Sequence, residues 1–300
     1  MNRPFSLFNI ELTNHCVMRC VMCPRTNNMS RPLGFMEFDL YRAAIDELSS
    51  CNPDFGANQV LWLHHFGESL LHPEFGSFIR YASSKNIRTG LSVNPIMLRE
   101  SVIDELLSAG LKILYLSLDG HDDESFQKIR GIEMAYEPSR RRLLDFLARK
   151  KTASSTITTI LSMIDFDLNR QSIEILRSYW ESMPGIDQFL PKSFTTWDGN
   201  APDVNALDSE RSATRIDRSR VRCTFPWEQM TITWDGDVVP CCFDYDKKYI
   251  LGNMRKSSLS EIWNGLPMKL LREEFDSNRV ANSLCARCRR LYMPPEDILP

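Results

Sequence analysis

Residues 6–23 read Ser6-Leu-Phe-Asn-Ile-Glu-Leu12-Thr-Asn-His-Cys16-Val-Met-Arg-Cys20-Val-Met-Cys23, a β-rich run followed at once by three cysteines. The run predicts a first strand over Ser6 to Leu12. The cysteines then fall in the loop beyond its C-terminal end, where a parallel β/α barrel gathers its chemistry. Three thiolates at spacings of four and three residues can wrap three irons of a [4Fe-4S] cube and leave the fourth without a protein ligand. Such an open iron can bind a cofactor through N and O atoms, whereas a four-thiolate cluster only passes electrons. A zinc loop is the plainer alternative.

Outward from this segment, residues 6–194 alternate short β-rich runs with amphipathic helical patterns, the signature of repeated βα units. Further strands are expected over Gln59–His64, Ile87–Val93, Lys112–Leu118, Ser155–Met163 and Ile186–Ser193. Apolar stripes at Tyr41, Ala44, Ile45, Leu48, at Phe75, Phe78, Ile79, Ala82 and at Ile173, Leu176, Trp180, Met183 mark helices packed on a sheet. Pro73 suits a first helical turn and Gly110 a helix end. Six units are fewer than the eight of a closed barrel, so the expected fold is α/β, a partial (β/α)6 barrel over 1–205. A polar linker over 206–220 then leads to a small C-terminal domain over 221–300. There Asp235-Gly236 predicts a β-hairpin, and Ser258 with Glu261 a capping box.

The chain has 300 residues, 43% hydrophobic and 25% charged, which is enough for a sizeable core. A formal charge of -3 gives no footprint for a polyanion, so nucleic acid is not an expected partner. No run reaches the ~20 apolar residues of a membrane span, no signal-peptide pattern precedes the first strand, and a cytoplasmic location is expected. The nine cysteines are an odd number, and they point to metal or redox chemistry rather than a disulfide framework. Only Cys51 stands apart from the two groups, and it reads as a packing residue.

The C-x3-C-x2-C spacing after the first strand resembles that of the radical S-adenosylmethionine (SAM) enzymes. The resemblance implies that Cys16, Cys20 and Cys23 hold a [4Fe-4S] cluster whose open iron chelates SAM, which is cleaved to a 5'-deoxyadenosyl radical. Phe66-Gly67-Glu68-Ser69 is similar to the family's Gly-Gly-Glu-Pro motif, with Phe66 and Ser69 departing from it. By that likeness Gly67 and Glu68 would hold the SAM amino group. Leu91-Ser92-Val93-Asn94, Ser117-Leu-Asp119-Gly120 and Lys128-Ile-Arg130-Gly131 resemble further SAM-contact runs, which implies roles for Ser92, Asn94, Ser117 and Arg130. Asp119 reads as a turn residue, and Met18 and Met22 as packing around the cluster. His64 and His65 adjoin the motif on neighbouring positions, so one should face the site and the other away.

Cys223, Cys241, Cys285 and Cys288 supply four thiolates, enough for a zinc ion or a fully ligated cluster, and spacing alone does not separate the two. Asp235-Gly-Asp-Val-Val-Pro-Cys241-Cys242, followed by Gly252-Asn253, Glu261-Ile-Trp-Asn264 and Cys285-x2-Cys288, resembles the SPASM domain in its shorter, twitch form. The resemblance implies one auxiliary [4Fe-4S] cluster. Cys242 should point away from Cys241 on an extended segment and is the candidate hydrogen donor, with burial or alternative ligation as the other readings. Trp197-Asp198 lies where a substrate should sit, and Asp198, Asp203 and Asp208 read as a solvated acidic stretch.

The resemblance implies an enzyme, an oxidoreductase or epimerase, acting on a small sugar or aminocyclitol and reduced by a flavodoxin or ferredoxin. The chain starts at the first strand without a leader-peptide-binding extension, which argues weakly against the alternative of a peptide- or protein-modifying enzyme. A non-enzymatic zinc scaffold is the alternative of a different class.

Overall fold

Six strands, β1 (Leu7–Ile10), β2 (Leu61–Trp62), β3 (Thr89–Val93), β4 (Ile113–Ser117), β5 (Thr158–Asp165) and β6 (Gln188–Ser193), pair in parallel and in chain order. They come from a computed structural model that describes residues 4–208 and 217–293. Each expected strand is present, most of them trimmed where the ladder runs out, while β5 starts later than expected and extends two residues past Met163. Leu61, Leu63, Leu91, Val93, Leu114, Leu116 and Leu161 alternate along the strands and are buried on one face. Helices α1 (Phe38–Cys51), α2 (Phe75–Ser84), α3 (Glu100–Ser108), α4 (Asp123–Arg130), α5 (Tyr136–Thr152) and α6 (Arg170–Glu181) connect the strands, and each buries an apolar stripe. The opposite face, reached by the intervening residues, is the inner one.

Two local expectations are adjusted. Gly110, at φ +89°, lies just past α3 as expected. Pro73 is not in the first turn of α2, which begins at Phe75 behind Glu74, because a turn from His72 to Phe75 intervenes. Cys51 is exposed at the end of α1, 3.6 Å from the Ser260 hydroxyl, and packs nothing.

The C-terminal hairpin is part of the same sheet. Strand β7 (Met230–Ile232) runs parallel to β1, with Leu7 opposite Met230 and Ile10 opposite Ile232, while β8 (Asp237–Val239) and β9 (Gly252–Asn253) add antiparallel to it. Gly236 takes φ +89° in the turn between β7 and β8, the conformation its Asp-Gly pair announced. The capping box of Ser258 and Glu261 opens α7 (Leu259–Trp263), which α8 (Leu266–Asp276) follows. Of the expected linker, 209–216 lie outside the described residues.

One buried charge holds these parts in register. Glu11, just past β1, has no exposed surface and accepts two hydrogen bonds of 2.5 Å from Arg31, which is itself buried and donates to the Tyr245 carbonyl at 2.7 Å. The backbone N–H groups of Phe66 and Trp234 add bonds of 3.2 and 3.3 Å. Although burial alone would raise its pKa, the Arg31 guanidinium, helped by His65, holds the Glu11 carboxyl far below the usual range. Removing one partner leaves the other charge stranded, so Arg31→Met should lower unfolding free energy by about 3–5 kcal/mol in urea titrations, and Glu11→Gln/Arg31→Met should recover part of that loss.

Candidate active site

The three-cysteine loop is folded back on itself and fastened to α4. Cys23 N–H donates to the Cys20 carbonyl at 3.1 Å, and Arg25 donates to the carbonyls of Cys16 and Met18 at 3.3 and 2.8 Å. The N–H groups of Arg19 and Val21 bond the last carbonyls of α4, on Arg130 and Ile129, at 3.0 Å each. This satisfies orphan acceptors of the helix and sets the loop over the strand ends. Burial pushes the thiols of Cys16 and Cys23 up to about 11 and about 12, so thiolates there need a cationic group between them. Met18 and Met22 are buried as expected.

Beside this loop, Gly67 runs so close to β1 that a Cβ would lie 2.1 Å from the Thr13 carbonyl oxygen. The Glu68 N–H donates to the His15 carbonyl at 2.7 Å, and its buried carboxylate accepts from the N–H groups of Asn94 and Leu70 at 2.8 and 3.2 Å. Burial nevertheless raises Glu68 to about 7. The buried amide Nδ2 of Asn94 and the Nε of Arg130 have no partner among the described residues. Ser69 donates to the Leu63 carbonyl at 2.6 Å and so shapes the loop. Asp119 does more than shape a turn. It is fully buried, bonds Ile164 N–H and Asn169, and pairs with Arg130, whose Nη1 lies 3.5 Å from Cys20 Sγ.

The inner face carries a band of chemistry. His64 accepts from Ser92 N–H at Nδ1, 3.2 Å, and stands against Trp62, which packs in turn on Tyr115. The hydroxyls of Ser92 and Ser117 meet at 3.3 Å. Gly90 leaves room for the Trp62 ring, 2.4 Å from where a Cβ would be. Burial first, then the Lys192 charge, pushes His64 down to about 3, so the imidazole is neutral. His65 turns the other way and donates from Nε2 to the Cys242 carbonyl at 2.8 Å, with Nδ1 3.6 Å from Glu11. Lys192 was missed in the sequence. Its ammonium lies 3.8 Å from the Tyr115 ring centroid, and burial lowers its pKa to about 8. The available signal was a cation inside an apolar strand, two residues beyond Leu190 on the same face.

The four C-terminal cysteines line a single cavity. Cys223, Cys241, Cys285 and Cys288 share its wall with Phe225, Phe243, Leu284 and other apolar side chains, and Cys242 is not part of it. The expectation that Cys242 points away from Cys241 does not hold, because the chain turns here rather than extending. Cys242 lies near enough to push the Cys241 thiol pKa well up, and Asp244 N–H returns to the Cys241 carbonyl at 3.1 Å. Trp197 is not free to face a substrate either. Its Nε1 donates to the Met22 carbonyl at 2.9 Å and its own carbonyl receives the Cys288 thiol, so it bridges the two cysteine sites. The acidic stretch is only partly solvated: Asp203 is exposed, whereas Asp198 and Asp208 are held in ion pairs. Asp198 binds Lys248 at 2.7 Å, Asp203 binds Asn27 and Asn28, and Asp208 binds Arg289.

Residues 10–178 match the family model described as the radical SAM superfamily. The chain belongs to the radical SAM superfamily. Residues 223–289 match a second model, SPASM, an iron-sulfur cluster-binding domain. Over 289 residues the chain is 23% identical to the tungsten-containing aldehyde ferredoxin oxidoreductase cofactor-modifying protein of Pyrococcus furiosus, covering 85% of this chain and 79% of that one. It is 21% identical to the S-adenosyl-L-methionine-dependent 2-deoxy-scyllo-inosamine dehydrogenase of Niallia circulans over 306 residues, 99% and 98% of the two chains. The structure of BtrN in complex with AdoMet and 2-DOIA superposes with a TM-score of 0.62 at 18% identity, covering 96% and 94%.

A radical SAM enzyme with a SPASM domain uses SAM and iron-sulfur clusters, one of them auxiliary. The residues fit these groups. Four cysteines line one largely apolar cavity, and two buried polar atoms beside Glu68 and Cys20 lack partners among the described residues. No helix among the described residues is long and apolar enough to cross a membrane.

Lys192 offers a check on the inner face. Its folded pKa lies below the ~10.4 of an unfolded lysine, so its charged form opposes folding below about pH 8 and that cost fades as pH rises toward 10.4. Lys192→Met should therefore be more stable than wild type at pH 7, by about 1–3 kcal/mol, with the gap closing by pH 10 in thermal unfolding.

Proposed function

We propose that this radical SAM enzyme is a cytoplasmic oxidoreductase that dehydrogenates a small polyhydroxylated substrate, a sugar or aminocyclitol, with electrons for SAM cleavage supplied by a flavodoxin or ferredoxin. Cys16, Cys20 and Cys23 would hold the SAM-binding cluster, and Cys223, Cys241, Cys285 and Cys288 the auxiliary one. When bound, SAM and the clusters supply hydrogen-atom abstraction and an acceptor for the released electron. Glu68 would face the SAM ammonium, Gly67 lets its segment pack against the Thr13–Asn14 backbone and so places Glu68 there, and Asn94 Nδ2 and Arg130 would supply unused donors, with Ser92 and Ser117 nearby.

The observation that carries dehydrogenation over epimerisation is the closed set of four cysteines around one cavity, with Cys242 outside its lining. A cluster with four protein thiolates has no site for substrate and is suited to taking an electron. The inner face supports a ring-shaped, hydroxyl-bearing substrate. Trp62 and Tyr115 offer flat apolar surfaces and Ser92 and Ser117 offer hydroxyls, while Lys192 can hold the substrate's hydroxyl proton at Nζ.

Incubation with 2-deoxy-scyllo-inosamine and with simple amino sugars under reducing conditions should give 5'-deoxyadenosine and a product lighter by two hydrogens. An unchanged product mass in water, with solvent deuterium at one carbon in deuterated water that is lost in Cys242→Ala, would instead establish epimerisation and a donor role for Cys242. SAM binding should also report on Glu68. Only the carboxylate pairs with an ammonium, so below pH 7 the SAM dissociation constant should rise about tenfold per pH unit in calorimetric titrations, and Glu68→Gln should bind weakly with no such slope.

A further inference from the structure

An open cleft borders the four-cysteine cavity at Cys223 and Phe275, which line both. Cys223 thus belongs at once to the cavity wall and to the surface cleft, a short route for an electron. The cleft has a volume of about 490 Å³, and Arg220, Arg222, Thr224, Asp276 and Asn278 are among its lining residues.

The rim is cationic and held in place. Arg220 and Arg222 are two residues apart on an irregular segment and both line the cleft. Asn278 clamps that segment, accepting from Val221 N–H at 2.6 Å and donating to the Ser219 carbonyl at 2.7 Å. From the other side the N–H groups of Arg222 and Cys223 bond the Leu291 carbonyl at 2.8 and 3.2 Å. Both guanidinium groups are exposed, and neither has an ion-pair partner among the described residues. Asp217 feels the charge of Arg222 without pairing with it, and Asp276 is the one acid in the lining. In a chain of net charge -3, such an unpaired cationic rim stands against the overall sign. Unpaired rim charges add little to stability, but they steer a partner of opposite charge and speed encounter.

We propose that this cleft is the docking site for a small acidic one-electron carrier protein of the ferredoxin class, which takes one electron per encounter from the auxiliary cluster by way of Cys223. The inference rests on the reading of Cys223, Cys241, Cys285 and Cys288 as ligands of that cluster. No bond forms or breaks in the step; the cluster is oxidised and the carrier reduced by one electron.

The test uses the reconstituted two-cluster protein and its Arg220→Glu/Arg222→Glu variant, with an oxidised [2Fe-2S] ferredoxin as the probe. Binding is measured by calorimetry, and electron transfer from the dithionite-reduced enzyme, freed of excess reductant, by stopped-flow absorbance. At about 20 mM salt, where screening is weak, the variant should bind about tenfold more weakly and react about tenfold more slowly, and the two proteins should converge near 0.5 M. Arg141→Glu/Lys151→Glu, an equal charge change on the exposed side of α5, should stay near wild type. Equal binding and rates for wild type and the cleft variant, or an equal loss in the control, would overturn the proposal. Iron content and dithionite-driven SAM cleavage separate this result from the underlying reading. If both are normal while docking is unaffected, only the docking site is wrong; if wild type reconstitutes a single cluster, the reading itself fails.

Discussion

The ion pair of Glu11 and Arg31 is the contact on which the other arrangements depend. A carboxylate with no exposed surface is costly unless every lone pair is used, and here a guanidinium, two backbone N–H groups and a histidine surround it. Those partners come from three distant parts of the chain. The end of β1 is thereby tied to the loop after the first cysteines, to the segment after β2 and to the turn after β7. Because Arg31 and His65 also reach the carbonyls of Tyr245 and Cys242, the position of the second cysteine site is referred back to the first strand. Polar groups that are individually poor stabilisers act here as a registration device.

The two faces of the sheet divide the remaining work. Under the helices the strands present an uninterrupted aliphatic layer, which supplies the rigidity. On the inner face the alternate positions carry Trp62, His64, Ser92, Tyr115, Ser117 and Lys192, residues that a stability argument alone would not place there. The depressed His64 and Lys192 share one cause, the withdrawal of charge from water. Among the described residues no carboxylate pairs with Lys192, which favours a substrate with hydroxyls over a second cation at that point.

The architecture was largely legible because βα repetition leaves two periodicities in the sequence, and all six parallel strands and the Asp-Gly hairpin follow from them. Cysteine spacing likewise made the two cysteine groups legible, and four of the later cysteines do line one cavity. The misreadings concern relations that spacing does not encode. Asp198, Asp203 and Asp208 look like a free acidic stretch until Lys248, Asn27, Asn28 and Arg289 arrive from elsewhere in the chain. Cys242 was placed by the alternation rule of an extended strand, which a turn at the same residues cancels. Lys192 was passed over because a lone lysine in a strand usually points to water, and only the curvature of the sheet shows that this one does not. The choice between His64 and His65 likewise needed Glu11, fifty residues earlier, to claim one of them.

The pairing of β7 with β1 has a consequence for the molecule's history and handling. A module attached by a tether can be cut away and leave its host intact, but here β1 would become an open edge, offering unpaired backbone donors and acceptors to any other chain. The barrel half by itself is thus a sticky half-sheet, and the C-terminal segment acts as its edge guard as well as its iron-sulfur-binding part. Such a join favours the two halves being inherited, expressed and degraded together.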